Sequence, residues 1–176
     1  MNGVPTILDL TVDVRSLPNL GQRVRHEATA EERQRVAEHC GVEAIERLAV
    51  EVLVEPWRKG GVRVVGEGDA ALTQACVVTL DPVEAELRFP IEGTYVPDGS
   101  SLAAATLGEV VLDPEGADPP EIFDGRTIQL GSLVVELLSL IMDPYPRAPG
   151  AALPDEARDE GIAKPFAALA ALRPKE

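Results

Sequence analysis

Cys76, Cys40, His26 and His39 are the only thiols and imidazoles in the chain, so nucleophilic or metal chemistry must start from them. Tetrahedral zinc asks for four nitrogen or sulfur ligands. This set offers four in total, without a spacing that gathers them. A nucleophile pair of Cys76 with His26 or His39 lacks any sequence sign of an oxyanion hole, or of a helix N-terminus that would lower the thiol pKa. Both cysteines are therefore expected to be small buried hydrophobes, and His39-Cys40 to close a helix whose dipole the imidazole complements. Asp118 and Glu121 flank Pro119-Pro120 and read as a solvated loop. No glycine-rich phosphate loop precedes a helix start. The expectation is a non-enzyme with no metal, no cofactor and no small-molecule substrate.

The second chemistry is phosphate recognition. The formal charge is −14, from 16 Lys and Arg against 30 Asp and Glu, which opposes broad nucleic-acid binding, because phosphate contacts need cations to displace counterions. It favours basic protein partners and fast encounter with them. Five arginines nevertheless cluster early: Arg15, Arg23, Arg25, Arg33 and Arg35. They form either a solvated face served by Glu31, Glu32 and Glu38, or a small phosphate-positioning patch. Trp57, beside Arg58 and Lys59 at a loop tip, either stacks on a base or caps the end of a sheet. Arg23, Arg25, Arg33, Arg35 and Trp57 are thus the candidate RNA-contacting residues.

These side chains need a scaffold, and 176 residues suit one domain. Hydrophobic residues make up 45%. With three Phe, two Tyr and one Trp, the core must be aliphatic. Thr6 to Val14 alternates and reads as a strand, and Ser16 to Gly21 as a turn. Thr29-Ala30-Glu31-Glu32 is a capping box, opening a helix to Cys40 that Gly41 ends. Ala44–Glu55, Val62–Val77 and Val83–Val96 read as three strands of an antiparallel meander, with Gly66 and Gly68 as bulge or bend points. Leu107 to Leu112 forms an edge strand or a partly ordered loop. Gly131 to Asp143, apolar nearly all round, reads as a helix buried across the sheet and ended by Pro144. No leader peptide and no run of the ~20 apolar residues a membrane span requires is visible, so a cytoplasmic protein is expected, its thiols reduced.

The fold class is α+β: a twisted antiparallel β-sheet, open or curled toward a barrel, with one or two packed helices and a short C-terminal helix. Residues 1–143 make a single domain, 144–164 a Pro/Gly/acidic linker, and 165–176 a short helical tail.

Four segments, in order, resemble one family. They are His26-Glu27-Ala28-Thr29-Ala30-Glu31-Glu32-Arg33, Gln74 through Val83, Ile128-Gln129-Leu130-Gly131-Ser132-Leu133-Val134-Val135-Glu136, and Lys164-Pro165-Phe166 through Leu172. The chain from Arg23 to Leu172 is similar to the YceD family, the large ribosomal RNA subunit accumulation proteins of bacteria and plastids. The resemblance implies a role in making, processing or stabilising large-subunit rRNA, with that rRNA or a pre-ribosomal particle as partner. A rival reading is an acidic chaperone or adaptor for a basic ribosomal protein. A remoter one is a hydrolase with Cys76 as nucleophile. Relatives often carry a second cysteine three residues after the position of Cys76, and some carry more near the C-terminus, together similar to a zinc site. Here Thr79 stands at that position and the C-terminal region has no cysteine, so the resemblance brings no zinc site to this chain.

Phe166, Leu169 and Leu172 form an apolar stripe on a helix too short to stand alone in water, and such a stripe docks into a groove, on its own domain or on a partner. Truncation after Pro154 is expected to leave a folded domain with little loss of stability and to abolish partner binding. Denaturant titration and a pull-down check this; a chain that unfolds would place the tail in the core.

Overall fold

The computed structural model describes residues 6–101, 103 and 119–152. The segment 107–112, Asp118 and the tail with Phe166, Leu169 and Leu172 lie outside the described residues. The elements are β1 (Thr11–Asp13), β2 (Gln22–Glu27), α1 (Ala30–Cys40), β3 (Ala44–Trp57), β4 (Gly61–Ala75), β5 (Pro82–Pro97), β6 (Glu121–Phe123), β7 (Thr127–Gln129) and α2 (Leu130–Ile141). The fold is α+β. One sheet has the order β2-β3-β4-β5-β6, and β1 pairs with β7 in a second.

The meander is as the alternation predicts. β3 joins β4 through a tight turn with Trp57 opposite Gly61, and β4 pairs with β5 from Val62–Tyr95 to Ala75–Pro82 without interruption. The sheet is not wholly antiparallel, however, and it does not close. β6 runs parallel to β5, with Tyr95 beside Glu121. Three residues of β6 cover only the C-terminal end of β5, so over residues 82–94 β5 is an edge among the described residues. This explains how Pro90 sits inside a strand: a proline that cannot donate is tolerated where no neighbour needs its N–H. Charged Glu84, Glu86, Arg88 and Glu92 line the same stretch, and charge on an edge discourages pairing with other chains.

One face of the sheet carries the core. Leu48, Val50, Val52 and Val54 of β3, Val62, Val64, Ala70 and Leu72 of β4 and Phe89 and Ile91 of β5 are buried in one cluster with Val36 of α1 and Leu130, Val134 and Leu138 of α2. α2 buries one side only. Leu140 is 73% exposed, so the helix is less enclosed than its composition suggests. It ends at Ile141, a turn before Pro144.

Three local expectations change. Only Thr11–Asp13 of the N-terminal segment is a strand. Leu8 and Leu10 are buried because the segment bends against the helices: the Gly131 amide donates to the Leu10 carbonyl at 3.0 Å, and a side chain on Gly131 would strike the Leu8 carbonyl. β2 is a strand despite carrying Val24 as its one aliphatic residue. Gly66 and Gly68 are not bulges. The register runs through both, and the irregularity falls between Ile45 and Arg47. The glycines make room instead, Gly66 for the β3 backbone at Glu51–Val52 and Gly68 for the Phe89 ring.

The capping box forms as read. Glu32 accepts from the Thr29 amide at 2.8 Å, and Thr29 Oγ1 accepts from the Glu32 amide at 3.3 Å. Gly41 adopts the left-handed cap, its amide donating to Ala37. Glu32 does more than cap. It is 4% exposed, its Oε1 accepts from the Asp9 amide at 3.0 Å, and the same oxygen lies 3.2 Å from His26 Nε2. Burial opposes its charge, but the Thr29 and Asp9 amides outweigh burial and hold its pKa below the usual carboxylate range.

No helix among the described residues is long and apolar enough to cross a membrane.

Glu32→Ala is expected to cost about 1–3 kcal/mol, the penalty for leaving buried donors unpaired. Because the folded pKa is depressed, this contribution is present above the unfolded carboxylate value of about 4.3 and is lost as pH falls through the lower folded value. Denaturant titrations from neutral to acid pH should therefore show a shallower acid loss in Glu32→Gln than in the parent chain.

Candidate functional site

The face of the sheet opposite the core is open. β2, β3, β4 and β5 curve there around a cleft of about 850 Å³, whose lining includes Arg23, Arg25, Glu51, Glu67, Asp69 and Arg88. Strand geometry explains the arrangement. Arg23 and Arg25 are two residues apart and project to the same side, and Arg25 is directly opposite Glu51 of β3. Both guanidinium groups reach that one carboxylate. Arg23 Nη1 is 3.1 Å from Glu51 Oε1, and Arg25 Nε is 2.9 Å from Oε2. The pair, Arg25 first, holds Glu51 below its ordinary pKa. Both arginine side chains stay 74% exposed, two cations on one carboxylate, with Glu67 directly across from Glu51 on β4. Across the cleft, Asp69 is the shared partner of Arg47 and Arg88.

The other candidates are not gathered here. Arg33 Nη1 donates to the Ala28 carbonyl at 2.7 Å. Arg35 donates to the Ile7 carbonyl and to Asp9, at 3.2 and 2.9 Å. Arg33 thus ties α1 to the residue that leads into its cap and Arg35 braces the N-terminal segment against α1, so the early arginines are two groups and not one patch. Arg15 is turned to Asp13 at 3.1 Å. Trp57 lies six strand residues beyond Glu51, roughly 20 Å at the usual rise. It is half-buried at the β3–β4 tip, with the Arg58 guanidinium 5.6 Å from its ring centroid. One ring face therefore already has a cation over it.

Cys76 corrects the sequence reading. It opens the turn between β4 and β5, where its amide donates to the Asp81 carbonyl at 2.8 Å and its carbonyl accepts from Leu80 at 3.0 Å. Leu80 takes a left-handed φ of 65° to close the turn. Sγ accepts from the amides of Val78, Thr79 and Ala148 at 3.4, 3.5 and 3.3 Å. The Thr79 hydroxyl and these amides outweigh desolvation and bring the thiol down to about 6. Cys76 is a polar anchor and not an inert apolar filler. The turn is clasped to the chain after α2: the Val77 amide donates to Pro146 at 2.9 Å, and Gln74 Nε2 to the Asp143 carbonyl at 3.0 Å. Ala148 is 72 residues away, so no local motif could announce it. The signal that was available is Thr79, a hydroxyl at the third position of a tight turn.

Chemically, the sulfur is a hydrogen-bond acceptor without access. Cys76 has no exposed surface, and its partners are donors that stabilise the anion, with no histidine to act as base. The donors also do not fit a metal. Thr79 directs its hydroxyl to Sγ, and no group of three or more metal-ligating side chains exists among the described residues. Cys40, half-buried, lies 3.5 Å from Ser139 Oγ. The chain matches no protein-family model, no curated protein and no solved structure.

Ultraviolet titration of the thiolate should show Cys76 ionising with a midpoint near 6, and Cys76→Ser should remove that step. Because the folded pKa lies below the unfolded one, stability should rise with pH between about 6 and the unfolded thiol value of about 8.5. Denaturation midpoints across that window should flatten in Cys76→Ser, and reagents for free thiols should react with the folded chain slowly.

Proposed function

We propose that this chain is a non-enzymatic, cytoplasmic factor in large-subunit ribosome biogenesis, associating with large-subunit rRNA or the pre-ribosomal particle. The observation that carries the proposal is the resemblance of four ordered segments, from Arg23 to Leu172, to the YceD family. Support from the fold is indirect. The first segment holds the capping box and its buried Glu32, the second the clasped Cys76 turn, and the third runs from β7 into α2. The residues of these three segments are thus ones the architecture uses. For the RNA contact, the exposed Arg23–Arg25 pair is the surface best suited, since both side chains are 74% exposed and phosphate contacts position rather than specify.

A second reading, an acidic adaptor for a basic ribosomal protein, is favoured by one specific observation. Arg33 and Arg35 are turned to carbonyl oxygens and Asp9, and the Arg23–Arg25 pair and Asp69 bear mixed charge, in a chain of net charge −14. Little free positive potential remains for a polyanion. The hydrolase reading gains no support from a shielded sulfur without a base.

Gradient co-sedimentation with precursor large subunits distinguishes the first two. Arg23→Glu with Arg25→Glu is expected to weaken association while changing stability by no more than about 0.5 kcal/mol, as for exposed sites. Unchanged association, with stoichiometric capture of a basic ribosomal protein, would favour the adaptor.

A further inference from the structure

At the end of the sheet away from Cys76, a second cavity of about 470 Å³ lies where β5, β6, β7 and α2 meet. Its lining includes Tyr95, Glu121, Phe123, Ile128, Gln129 and Ser132. Tyr95 and Glu121 are register partners on parallel strands, so their side chains leave the sheet on the same side, toward α2. Tyr95 is 3% exposed, yet its hydroxyl has no hydrogen-bond partner among the described residues. A buried phenol normally finds one, and an orphaned polar atom in a cavity wall asks for an explanation, of which a bound group is one. Glu121, at the mouth, forms no ion pair among the described residues. Glu136 stands one turn along α2 from Ser132, on the same helix face. Its charge bears on both Tyr95 and Glu121. Burial, first, and then Glu136 hold Glu121 above the ordinary carboxylate range, and burial with both carboxylates raises the Tyr95 phenol. Burial leads in both, and the neighbouring carboxylates add to it.

We infer that Tyr95, Glu121 and Glu136 form a receptor for the guanidinium or ammonium head of an arginine or lysine side chain presented by a basic partner polypeptide. Two carboxylates exclude phosphate. A guanidinium is planar, rich in donors and weakly hydrated, suited to a partly buried carboxylate site. The Tyr95 oxygen accepts one of its N–H groups, and the Glu121 carboxylate accepts another at the mouth. Buried Phe123 and Ile128 give the cavity an apolar floor for the methylene stem, which long basic side chains prefer to lay on apolar surface. A net charge of −14 draws such polypeptides to the molecule. The site rests on the adaptor reading only for the identity of the partner.

The test is titration of the full chain, followed by calorimetry and NMR, with a blocked Gly/Ser peptide holding one arginine. A citrulline version of the peptide and free agmatine are the comparisons. The arginine peptide should shift the Tyr95 and Glu121 side-chain resonances and lower the Glu121 pKa, and the citrulline peptide should do neither. Glu121→Gln should weaken binding about tenfold or more, as for loss of a charge-assisted hydrogen bond. Tyr95→Phe, which keeps the ring packing, should weaken it severalfold. Glu84→Gln, on the far stretch of β5, should change it less than about twofold, as for a screened surface charge. Equal losses from Glu84→Gln and Glu121→Gln, or resonances that do not move, would reduce the effect to general charge attraction and overturn the site. Agmatine binding as tightly as the peptide would overturn the assignment to a polypeptide. Either failure leaves association with pre-ribosomal particles untouched, so the two proposals stand or fall separately.

Discussion

The buried carboxylate of Glu32 is the constraint on which the arrangement of the first half of the molecule depends. A single side chain accepts from the amide that starts α1 and from the Asp9 amide of the N-terminal segment, beside the His26 imidazole of β2. An ionised carboxylate is costly to bury unless its oxygens are filled by donors, and here the donors are the Thr29 and Asp9 amides, from two separate pieces of chain, with the His26 imidazole of β2 packed alongside. The segment that carries Leu8 and Leu10 into the core is therefore held by the same group that caps the helix. Arg35 repeats the attachment from the next turn of α1, through Ile7 and Asp9. Core closure, helix initiation and the position of β2 are consequently coupled.

That coupling sets what the open face can present. With β2 placed beside β3, the odd-numbered residues of the edge strand project away from the core, and Arg23 and Arg25 meet Glu51. The glycines of β4 let neighbours come close: β3 lies against Gly66, and the Phe89 ring folds over Gly68. The result is a curved, charged sheet surface whose cations and anions are interleaved. Such a surface suits a partner that itself carries both charges, or a phosphate held at one point, better than a long polyanion.

The Cys76 turn does for the other end what Glu32 does near the N-terminus. A sulfur with three amide donors, one of them from beyond α2, ties the β4–β5 hairpin to residues 143–148. The two anchors share one logic: an acceptor with several lone pairs satisfies orphan N–H groups in irregular chain that no strand or helix ladder can reach. The Tyr95–Glu121 cavity inverts that logic, because its acceptors are the groups left without donors.

Much of the architecture was legible in the order of residues. The capping box at Thr29–Glu32, the glycine stop at Gly41, the alternation of Leu48, Val50, Val52 and Val54, the meander of three long strands and the helix before Pro144 all follow from effects acting within a few residues. Hydrogen bonds from side chain to nearby backbone, and periodicities of two and 3.6, need no knowledge of the rest of the chain. Other features needed the assembled molecule. β2 has too few apolar residues to declare itself, the parallel β6 depends on a connection that brings distant chain alongside β5, and the irregularity at Glu46 arises from matching two long strands. The division of the arginines, the depressed thiol of Cys76 and the unpartnered Tyr95 hydroxyl likewise depend on groups 26 to 72 residues away in the cases of Arg25, Arg35 and Cys76. Residue types state what a group can donate or accept; which partner it meets, and how much water is left around it, is set by packing across the whole fold.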